Sequence, residues 1–362
     1  MHQWIDNPGK LDTWLDARNG AGATYLDTEF MRTNTFFSRL ALVQINVDGA
    51  IALLDAPQLG AAPGLGKRLR DAQHTCVMHS ASEDLEALSG IVPEGPVALF
   101  DTQIAAAMAG LGFGLSYQKL VAQLLGIDLP KGETRSDWMQ RPLRAAQLDY
   151  ATQDVLHLPA LHEILTTRLA EFDRQDWLAE DCKRMVERIC TARPDMQPQC
   201  GFRGASEWPR ERQALLRRVL LWRDASARSL DKPRPWILDD AHALSLVANP
   251  PTDANALFER CKGLRALRGA QRAELLDLLQ SPLRPDELDF APIPAPLTSV
   301  EKRILSSLRD EVSRIAGELN LPEGLVCPRK HLETLVGERK WPAALEGWRE
   351  PILRDALMAR VE

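Results

Sequence analysis

Acidic residues in three short motifs constrain most strongly how this chain can fold. Asp27 and Glu29 lie two residues apart within a mostly apolar segment. Asp84 follows a second apolar segment, and Tyr150 and Asp154 are four residues apart further along the chain. Carboxylates that converge in a folded interior lose hydration and repel one another unless a cation neutralises them. A fold that brings these acids together therefore predicts a site for a hard cation with oxygen ligands, Mg²⁺ or Mn²⁺.

The first two motifs are predicted on a strand and at the start of a helix. Side chains two apart on a strand leave the same face, so Asp27 and Glu29 should point to one side of a sheet. Ser80 and Glu83 have the S-x-x-E spacing of a capping box, which predicts Ser80 as the N-cap and places Asp84 in the first turn. That helix leaves the carboxyl end of a strand, which is a usual position for a site in an α/β sheet.

Tyr150 and Asp154 complete the set on a predicted helix, where residues i and i+4 share a face. Taken singly, each motif also has an ordinary structural explanation: a strand entering a polar loop, an acid complementing a helix dipole, or a surface tyrosine packing on its neighbour. Taken together, the acids predict two metal ions about 4 Å apart, the arrangement that supports in-line attack on a phosphodiester. The residues therefore indicate a metal-dependent nuclease.

Residues 1–170 alternate between predicted strands and helices, which indicates an α/β domain with a mixed sheet. The predicted strands are Thr24–Glu29, Leu40–Val47, Ala50–Asp55 and Thr75–His79, with an Asp48-Gly49 hairpin turn between the second and the third. The predicted helices are 11–17, 66–72, one from Glu83 onward, 102–109, 116–125 and 144–168.

From about residue 200 onward the pattern predicts amphipathic helices separated by proline-rich breaks, without a convincing strand. The proline-rich run 291–296 predicts a stiff linker that divides this region into two pieces. The pieces resemble each other: residues 221–224 parallel 307–310, 242–247 parallel 331–336, and 262–264 parallel 346–348. Offsets of 84 to 89 residues in the same order indicate a duplicated helical domain.

Composition narrows the class of protein and its partners. The chain has 44 basic and 50 acidic residues, yet residues 210–234 hold eight basic residues against three acidic ones. A locally basic helical region joined to an acidic, cation-gathering region is typical of a nuclease with an accessory binding module, although a solvated helix face would show the same charges. The six cysteines form no CxxC pair, and no apolar stretch reaches the ~20 residues of a membrane span. We therefore expect a cytoplasmic protein without membrane association.

The motifs together resemble those of the DEDD superfamily of 3′-to-5′ exonucleases, and most closely the ribonuclease D family. The tyrosine four residues before the last aspartate is typical of the DEDDy branch, since the histidine branch would need histidine where this chain has Asp149. The resemblance is carried by residues 26–33, 42–45, 79–86, 101–106 and 135–143. The repeated helical pieces resemble tandem HRDC domains, so the resemblance spans nearly the whole chain.

The resemblance implies a role for each site residue. Asp27, Glu29 and Asp154 would bind the metal that activates water, and Asp27 would bridge to a second metal supported by Asp84. Tyr150 would position the water and the scissile phosphate; whether it also takes a proton is left open, but a phenol with a pKa of about 10 is a poor base at neutral pH. The predicted substrate-binding residues are Thr28, Lys131 and Arg135.

The resemblance also implies the architecture and the activity. We expect an α/β RNase H-like exonuclease domain with a mixed sheet over residues 1–195, followed by two all-α HRDC bundles over 208–289 and 296–362. The expected protein is a monomer that uses two Mg²⁺ or Mn²⁺ ions to trim single-stranded 3′ ends of transfer RNA precursors and other small RNAs, and releases nucleoside 5′-monophosphates. The alternatives are a DNA 3′-5′ exonuclease and a catalytically inactive RNA-binding adaptor.

Overall fold

Two compact units make up the chain in the computed structural model, which describes residues 2–20, 22–130, 132–133 and 136–361. The first unit contains Met1–Met31, Arg39–Ala192 and Thr298–Glu362. The second contains Arg32–Ser38 and Arg193–Leu297. The last 65 residues, Thr298–Glu362, therefore fold with the N-terminal part of the chain and not with the helices that precede them in sequence.

A six-stranded sheet forms the centre of the first unit. Its strands are β1 (His2–Ile5), β2 (Ala23–Met31), β3 (Arg39–Val47), β4 (Ala50–Asp55), β5 (Thr75–Met78) and β6 (Leu99–Asp101). Their order across the sheet is β1-β4-β3-β2-β5-β6. The pairs β2–β3 and β3–β4 are antiparallel, whereas β1–β4, β2–β5 and β5–β6 are parallel. The predicted mixed sheet is confirmed.

The register of β2 against β3 places the predicted acids in defined cross-strand rows. Asp27 is opposite Gln44, and Glu29 is opposite Leu42. The register shifts between Glu29 and Phe30, so a bulge follows the second acid directly. The turn between β3 and β4 has positive φ at both Asp48 and Gly49, as a two-residue hairpin turn requires.

Nine α-helices lie before residue 193 among the described residues. They are α1 (Pro8–Asp16), α2 (Ala56–Leu59), α3 (Pro63–Arg70), α4 (Ser82–Leu88), α5 (Thr102–Met108), α6 (Tyr117–Leu125), α7 (Ala145–Leu156), α8 (Leu158–Glu171) and α9 (Gln175–Cys190). The single helix predicted over 144–168 is wrong, because the helix breaks at His157. Pro159 in the first turn of α8 cannot donate a backbone hydrogen bond and would crowd the carbonyl four residues earlier.

The second unit is helical, and the described residues from 193 to 361 contain no strand. Its helices are α10 (Arg210–Ser229), α11 (Arg234–Ile237), α12 (Asp240–Ala248), α13 (Ala254–Arg260) and α14 (Gly269–Gln280). Their apolar faces meet in one core that includes Leu216, Leu220, Leu246, Leu257 and Leu275. This unit therefore has its own hydrophobic core.

The C-terminal part of the first unit has a similar order of helices. It consists of α15 (Ser299–Leu319), α16 (Glu323–Val326), α17 (Arg329–Glu338) and α18 (Glu350–Met358). A long helix, a one-turn helix after a proline (Pro233 or Pro322) and a medium helix follow one another in both α10–α12 and α15–α17. The shared order agrees with the sequence parallels that indicate a duplication.

Buried contacts attach the C-terminal part of the first unit to α9. Arg349 donates to both carboxylate oxygens of Asp181, at 2.5 and 2.7 Å. The rings of Trp348 and Trp177 stack with centroids 4.5 Å apart and an interplanar angle of 8°. Arg174 donates to the carbonyl of Leu319. Residues 298–362 thus contribute polar and aromatic contacts to the unit that contains the sheet.

None of the helices in the described part of the chain is both long enough and apolar enough to cross a membrane.

The Asp181–Arg349 pair predicts a large stability effect. Both side chains are about nine-tenths buried, so Arg349→Met would leave Asp181 as an unpaired buried charge. We expect the free energy of unfolding to fall by about 3–5 kcal/mol, as measured by urea unfolding of the full chain. The double variant Asp181→Leu/Arg349→Met should recover most of this loss, because it removes both charges. Equal stability of the wild-type and Arg349→Met proteins would contradict the prediction.

Candidate active site

Three of the predicted acids meet at one point of the first unit. Carboxylate oxygens of Asp27, Glu29 and Asp154 all lie within 4.8 Å of one another, which is close enough to share a metal ion. Asp27 and Glu29 project from the same face of β2, and Asp154 reaches them from α7, which packs on that face. The structure therefore brings together residues that are separated by 125 positions in the sequence.

Asp84 and Thr28 connect α4 to the same strand. The hydroxyl of Thr28 donates to the carboxylate of Asp84 at 2.5 Å, and both side chains are buried. Asp84 lies in the first turn of α4, as predicted. It is not part of the group of three acids, but its charge raises the pKa values of all three. Thr28 was predicted to contact substrate through its backbone, and the hydrogen bond from its hydroxyl to Asp84 leaves that prediction untested.

The start of α4 differs from the prediction. Ser80 is not the N-cap: α4 begins at Ser82, and no side chain caps it. Ser80 has a φ of 59°, in the left-handed region. The backbone N–H groups of Ser80 and Ala81 donate to the carboxylate of Asp101, which also accepts from the N–H groups that begin α5. Asp101 therefore positions the turn that precedes Asp84. This role could not be predicted from the sequence position of Asp101 at the end of β6.

A buried ion pair and a buried amide attach the α7 region to the sheet. Arg141 donates to both carboxylate oxygens of Asp55, at 2.9 and 2.8 Å, and to the carbonyl of Ala41. The side-chain amide of Asn46 donates to the carbonyl of Val155, directly after Asp154. The sequence identified the segment that contains Arg141 but not the function of Arg141, because its partner Asp55 lies 86 residues earlier.

Tyr150 lies on the face of α7 that carries Asp154. Its ring is half-buried, with Trp138 6.0 Å away between centroids and Gly132 against the ring edge, where a Cβ atom would clash. Burial, and then the charges of Asp154, Glu29 and Asp27, raise the pKa of Tyr150 above its ordinary value. The phenol therefore remains protonated over the physiological range and can donate a hydrogen bond.

The acids carry the electrostatic signature of a cation site. Burial, and then the charges of its three acidic neighbours, raise the pKa of Asp27 well above its usual value. Burial, followed by Asp154 and Asp84, raises the pKa of Glu29 to about 9. Burial and the charge of Asp84 raise the pKa of Asp154 to about 7, and burial raises that of Asp84 to about 6. An all-oxygen set of repelling carboxylates fits a hard divalent cation, which would favour the ionised forms.

A cavity of about 1100 Å³ opens beside these residues. Tyr150 and Asp154 form part of its wall, together with the apolar side chains of Ile127, Leu129 and Leu156. Ile127 and Leu156 remain 38% and 40% exposed, so the cavity offers apolar surface next to the acids. It is as large as the sites that usually hold small-molecule ligands. The predicted substrate-binding residues Lys131 and Arg135 fall outside the described residues.

Comparison with protein families and known proteins finds matches over about half or all of the chain. A family model described as 3′-5′ exonuclease matches residues 2–170. A ribonuclease D of Xanthomonas oryzae pv. oryzae is 43% identical, with 100% of this chain and 99% of the relative covered. A ribonuclease D of Pseudomonas paraeruginosa is 34% identical, with 99% and 97% covered.

A solved structure shares the fold over the full chain. The crystal structure of Escherichia coli RNase D, described as an exoribonuclease involved in structured RNA processing, aligns with a TM-score of 0.85. The alignment covers 100% of this chain and 98% of that chain at 24% sequence identity. At this identity the likeness supports the fold, including the helical C-terminal region.

The raised pKa values predict how the stability of the metal-free protein depends on pH. In the unfolded chain these acids titrate near pH 4, whereas in the folded chain Asp84, Asp154 and Glu29 titrate near 6, 7 and 9. The folded state binds the protons more tightly than the unfolded state. The stabilisation that these acids contribute to folding is therefore complete below pH 4 and is lost as the pH rises to about 9. We expect the melting temperature in EDTA to fall over this range and Mg²⁺ to reduce the fall.

Two variants on the same helix make this measurement specific. Asp154→Asn should flatten the pH dependence, because it removes one repelling charge and one shifted group. Asp149→Asn, at an exposed position of α7, should leave the dependence unchanged. Identical pH profiles for the wild-type and Asp154→Asn proteins would show that these acids do not repel one another in the folded protein.

Proposed function

Because the chain belongs to the ribonuclease D family and is a 3′-to-5′ exoribonuclease, we propose that it trims the 3′ ends of transfer RNA precursors and other small RNAs. Water adds to the terminal phosphorus, the bond to the preceding 3′ oxygen breaks, and a nucleoside 5′-monophosphate leaves. The observation that carries the proposal is the convergence of Asp27, Glu29 and Asp154 from a strand and a helix. The protein would act on single-stranded ends as a monomer.

The acids would hold divalent cations, Mg²⁺ or Mn²⁺, two in each site. Asp27, Glu29 and Asp154 offer oxygen ligands within one ion's reach. Asp84, which accepts a hydrogen bond from Thr28, would support the second ion partly through water. When bound, such ions lower the pKa of water and neutralise charge on phosphate. This assignment also accounts for buried carboxylates that would otherwise repel one another.

Tyr150 would orient the reaction and not accept a proton. Its phenol has a pKa above the ordinary value, so the hydroxyl is a hydrogen-bond donor at neutral pH. Asp154 and Tyr150 share one face of α7 and border the same cavity. The hydroxyl could therefore donate to the phosphate or to the attacking water while the carboxylates hold the ions. Lys131 and Arg135 are proposed to contact phosphates, with Thr28 presenting backbone to the 3′-terminal nucleotide.

We propose that α10–α14 and α15–α18 are two HRDC-type bundles, corresponding to residues 208–289 and 296–362, and that the first binds RNA. The basic residues of 210–234 are poorly available for this, because internal contacts involve all eight of them. Arg218 pairs with Glu287 in a buried bridge, and Arg228 and Arg234 pair with Asp224. Arg210, Arg212, Arg217, Arg223 and Lys232 contact carbonyls, an acid or an aromatic ring.

Another basic surface of the second unit is better placed for RNA. Residues 258–272 contain five basic residues and one acidic residue, and Lys262, Arg265 and Arg268 are exposed. Lys262 pairs with the exposed Glu259, and Arg265 lies over the ring of Trp236, so these two make internal contacts at the surface while remaining open to solvent. Phe258, which is 43% exposed, has cations over its ring from Lys262 and Arg272. Exposed cations beside exposed aromatic rings can neutralise phosphates and stack on bases. We therefore place the proposed RNA contact at Lys262, Arg265 and Arg268.

Digestion of a 3′-extended transfer RNA with Mg²⁺ tests the proposed activity. We expect stepwise shortening from the 3′ end, with nucleoside 5′-monophosphates as products, resolved at single-nucleotide length. Asp154→Asn should reduce turnover by orders of magnitude and Tyr150→Phe by about 10²-fold, while Tyr150→Phe keeps its metal affinity. Asp149→Asn is the matched control and should behave as wild type.

Two results would contradict this assignment. Near-normal turnover by Asp154→Asn would remove the acids from the chemistry. A matched DNA oligonucleotide that is degraded faster than the RNA would favour a DNA exonuclease.

Binding of folded RNA tests the basic surface. The triple variant Lys262→Ala/Arg265→Ala/Arg268→Ala should bind folded RNA more weakly, and its log–log salt dependence should flatten by about 0.7 for each lost single-stranded phosphate contact. Turnover on a short single strand should be unchanged. The control is Lys302→Ala/Arg303→Ala/Arg309→Ala on α15, where the three cations are also exposed. Equal affinity and salt dependence for both triple variants would exclude the 258–272 surface.

A further inference from the structure

A wholly buried glutamine lies next to the strand that carries the acids. Gln44, on β3, has no exposed surface. Neither its amide nitrogen nor its carbonyl oxygen has a hydrogen-bond partner among the described residues. Its strand position is the one directly opposite Asp27. The mechanism derived above does not use this residue.

An unpaired buried amide is costly. A buried polar group without a partner is destabilising compared with a paired one, and an apolar side chain of the same size would avoid that cost. The surroundings of Gln44 would accommodate an apolar side chain. Leu53 is opposite it on β4 and packs in a cluster with Trp138 and Ala151. The side chain at this position is therefore polar where packing alone would favour leucine or methionine.

The register places the amide within reach of the Asp27 carboxylate. Directly opposed residues of an antiparallel pair project from the same face, with Cβ atoms about 4.5–5.5 Å apart. The amide of Gln44 extends further from its Cβ than a carboxylate does, so it can span that gap. Helix α7 covers the same face and carries Asp154, so the amide is enclosed between the acids and the cluster around Trp138.

We propose that Gln44 is a positioning residue, which donates its amide N–H to Asp27 when Asp27 holds a divalent cation. The amide would fix the carboxylate's orientation, as hydrogen-bonding partners of metal ligands commonly do. Its carbonyl remains available as an acceptor, and the indole N–H of Trp138 in the same region also lacks a partner among the described residues. The inference rests on the proposed metal-binding role of Asp27.

Asn46 shows what a purely structural amide looks like on the same face. It lies two residues after Gln44 on β3, opposite Tyr25, and it is 1% exposed. Its N–H group donates to the carbonyl of Val155 at 3.0 Å, so it contributes to the docking of α7. Gln44 makes no equivalent contact among the described residues, and the two amides therefore serve different purposes.

The test is Mn²⁺ titration of the full-length Gln44→Met protein by calorimetry, together with its melting temperature in EDTA. Methionine conserves the volume and removes the amide. We expect Mn²⁺ affinity to fall about 10- to 100-fold while the melting temperature stays the same or rises. Gln44→Leu, with a different shape, should behave in the same way.

Gln199→Met is the matched control. Gln199 is also wholly buried, but its amide donates to the carbonyl of Ala291 in the second unit. This variant should lose stability and keep wild-type Mn²⁺ affinity.

The outcomes separate this inference from the proposed function. Wild-type Mn²⁺ affinity in Gln44→Met and Gln44→Leu would overturn the positioning role while leaving the metal site intact. A loss of metal-free stability in both variants as large as that of Gln199→Met would also overturn it, since the amide would then be structural. If the wild-type protein bound no Mn²⁺, the proposed metal site itself would fail, and the role of Gln44 with it.

Discussion

Repulsion among buried carboxylates is the constraint on which the rest of the first unit depends. Burial raises the pKa of each of Asp27, Glu29, Asp84 and Asp154, and the charge of Asp84 raises the pKa values of the other three further. When they are ionised, these acids repel one another. Every element that delivers an acid must therefore be fixed by contacts made elsewhere, and the sheet supplies the first of them by pairing β2 on both edges.

The other two elements are held by buried polar groups and not by apolar packing alone. Asp101 gathers four backbone N–H groups at the starts of α4 and α5, and so fixes the turn before Asp84. The pair of Arg141 and Asp55 fixes the segment before α7. Buried polar and charged groups cost free energy, but their hydrogen bonds require particular distances and directions, whereas contacts between leucine side chains do not. Specific geometry is what convergence of like charges requires.

The sequence predicted the parts of this arrangement that depend on local pattern. Alternation and turn chemistry predicted β2 to β5 closely, and the i, i+4 spacing placed Tyr150 and Asp154 on one helix face. It missed β1 and β6, which have four and three residues and are too short to show a period. It also misplaced the cap of α4, because the carboxylate that satisfies the Ser80 and Ala81 N–H groups lies about 20 residues later. The partner of Arg141 and the row in which Gln44 is opposite Asp27 were likewise not predictable, since they depend on long-range docking and strand register.

Net charge along the sequence was a poor guide to which cations are available, and the reason is physical. An arginine placed on a helix that forms a core has carbonyl groups and acids within its reach, and guanidinium geometry favours several such contacts at once. Arg218 shows this: it is 8% exposed, pairs with Glu287 and donates to three carbonyls. Arg349 does the same in the C-terminal part of the first unit, where it pairs with Asp181 and donates to the Leu325 carbonyl. Burial therefore distinguishes the basic residues of this chain: enclosed arginines such as Arg218 and Arg349 join helices to their neighbours. The exposed Lys262, Arg265 and Arg268 are the ones that we propose to contact RNA.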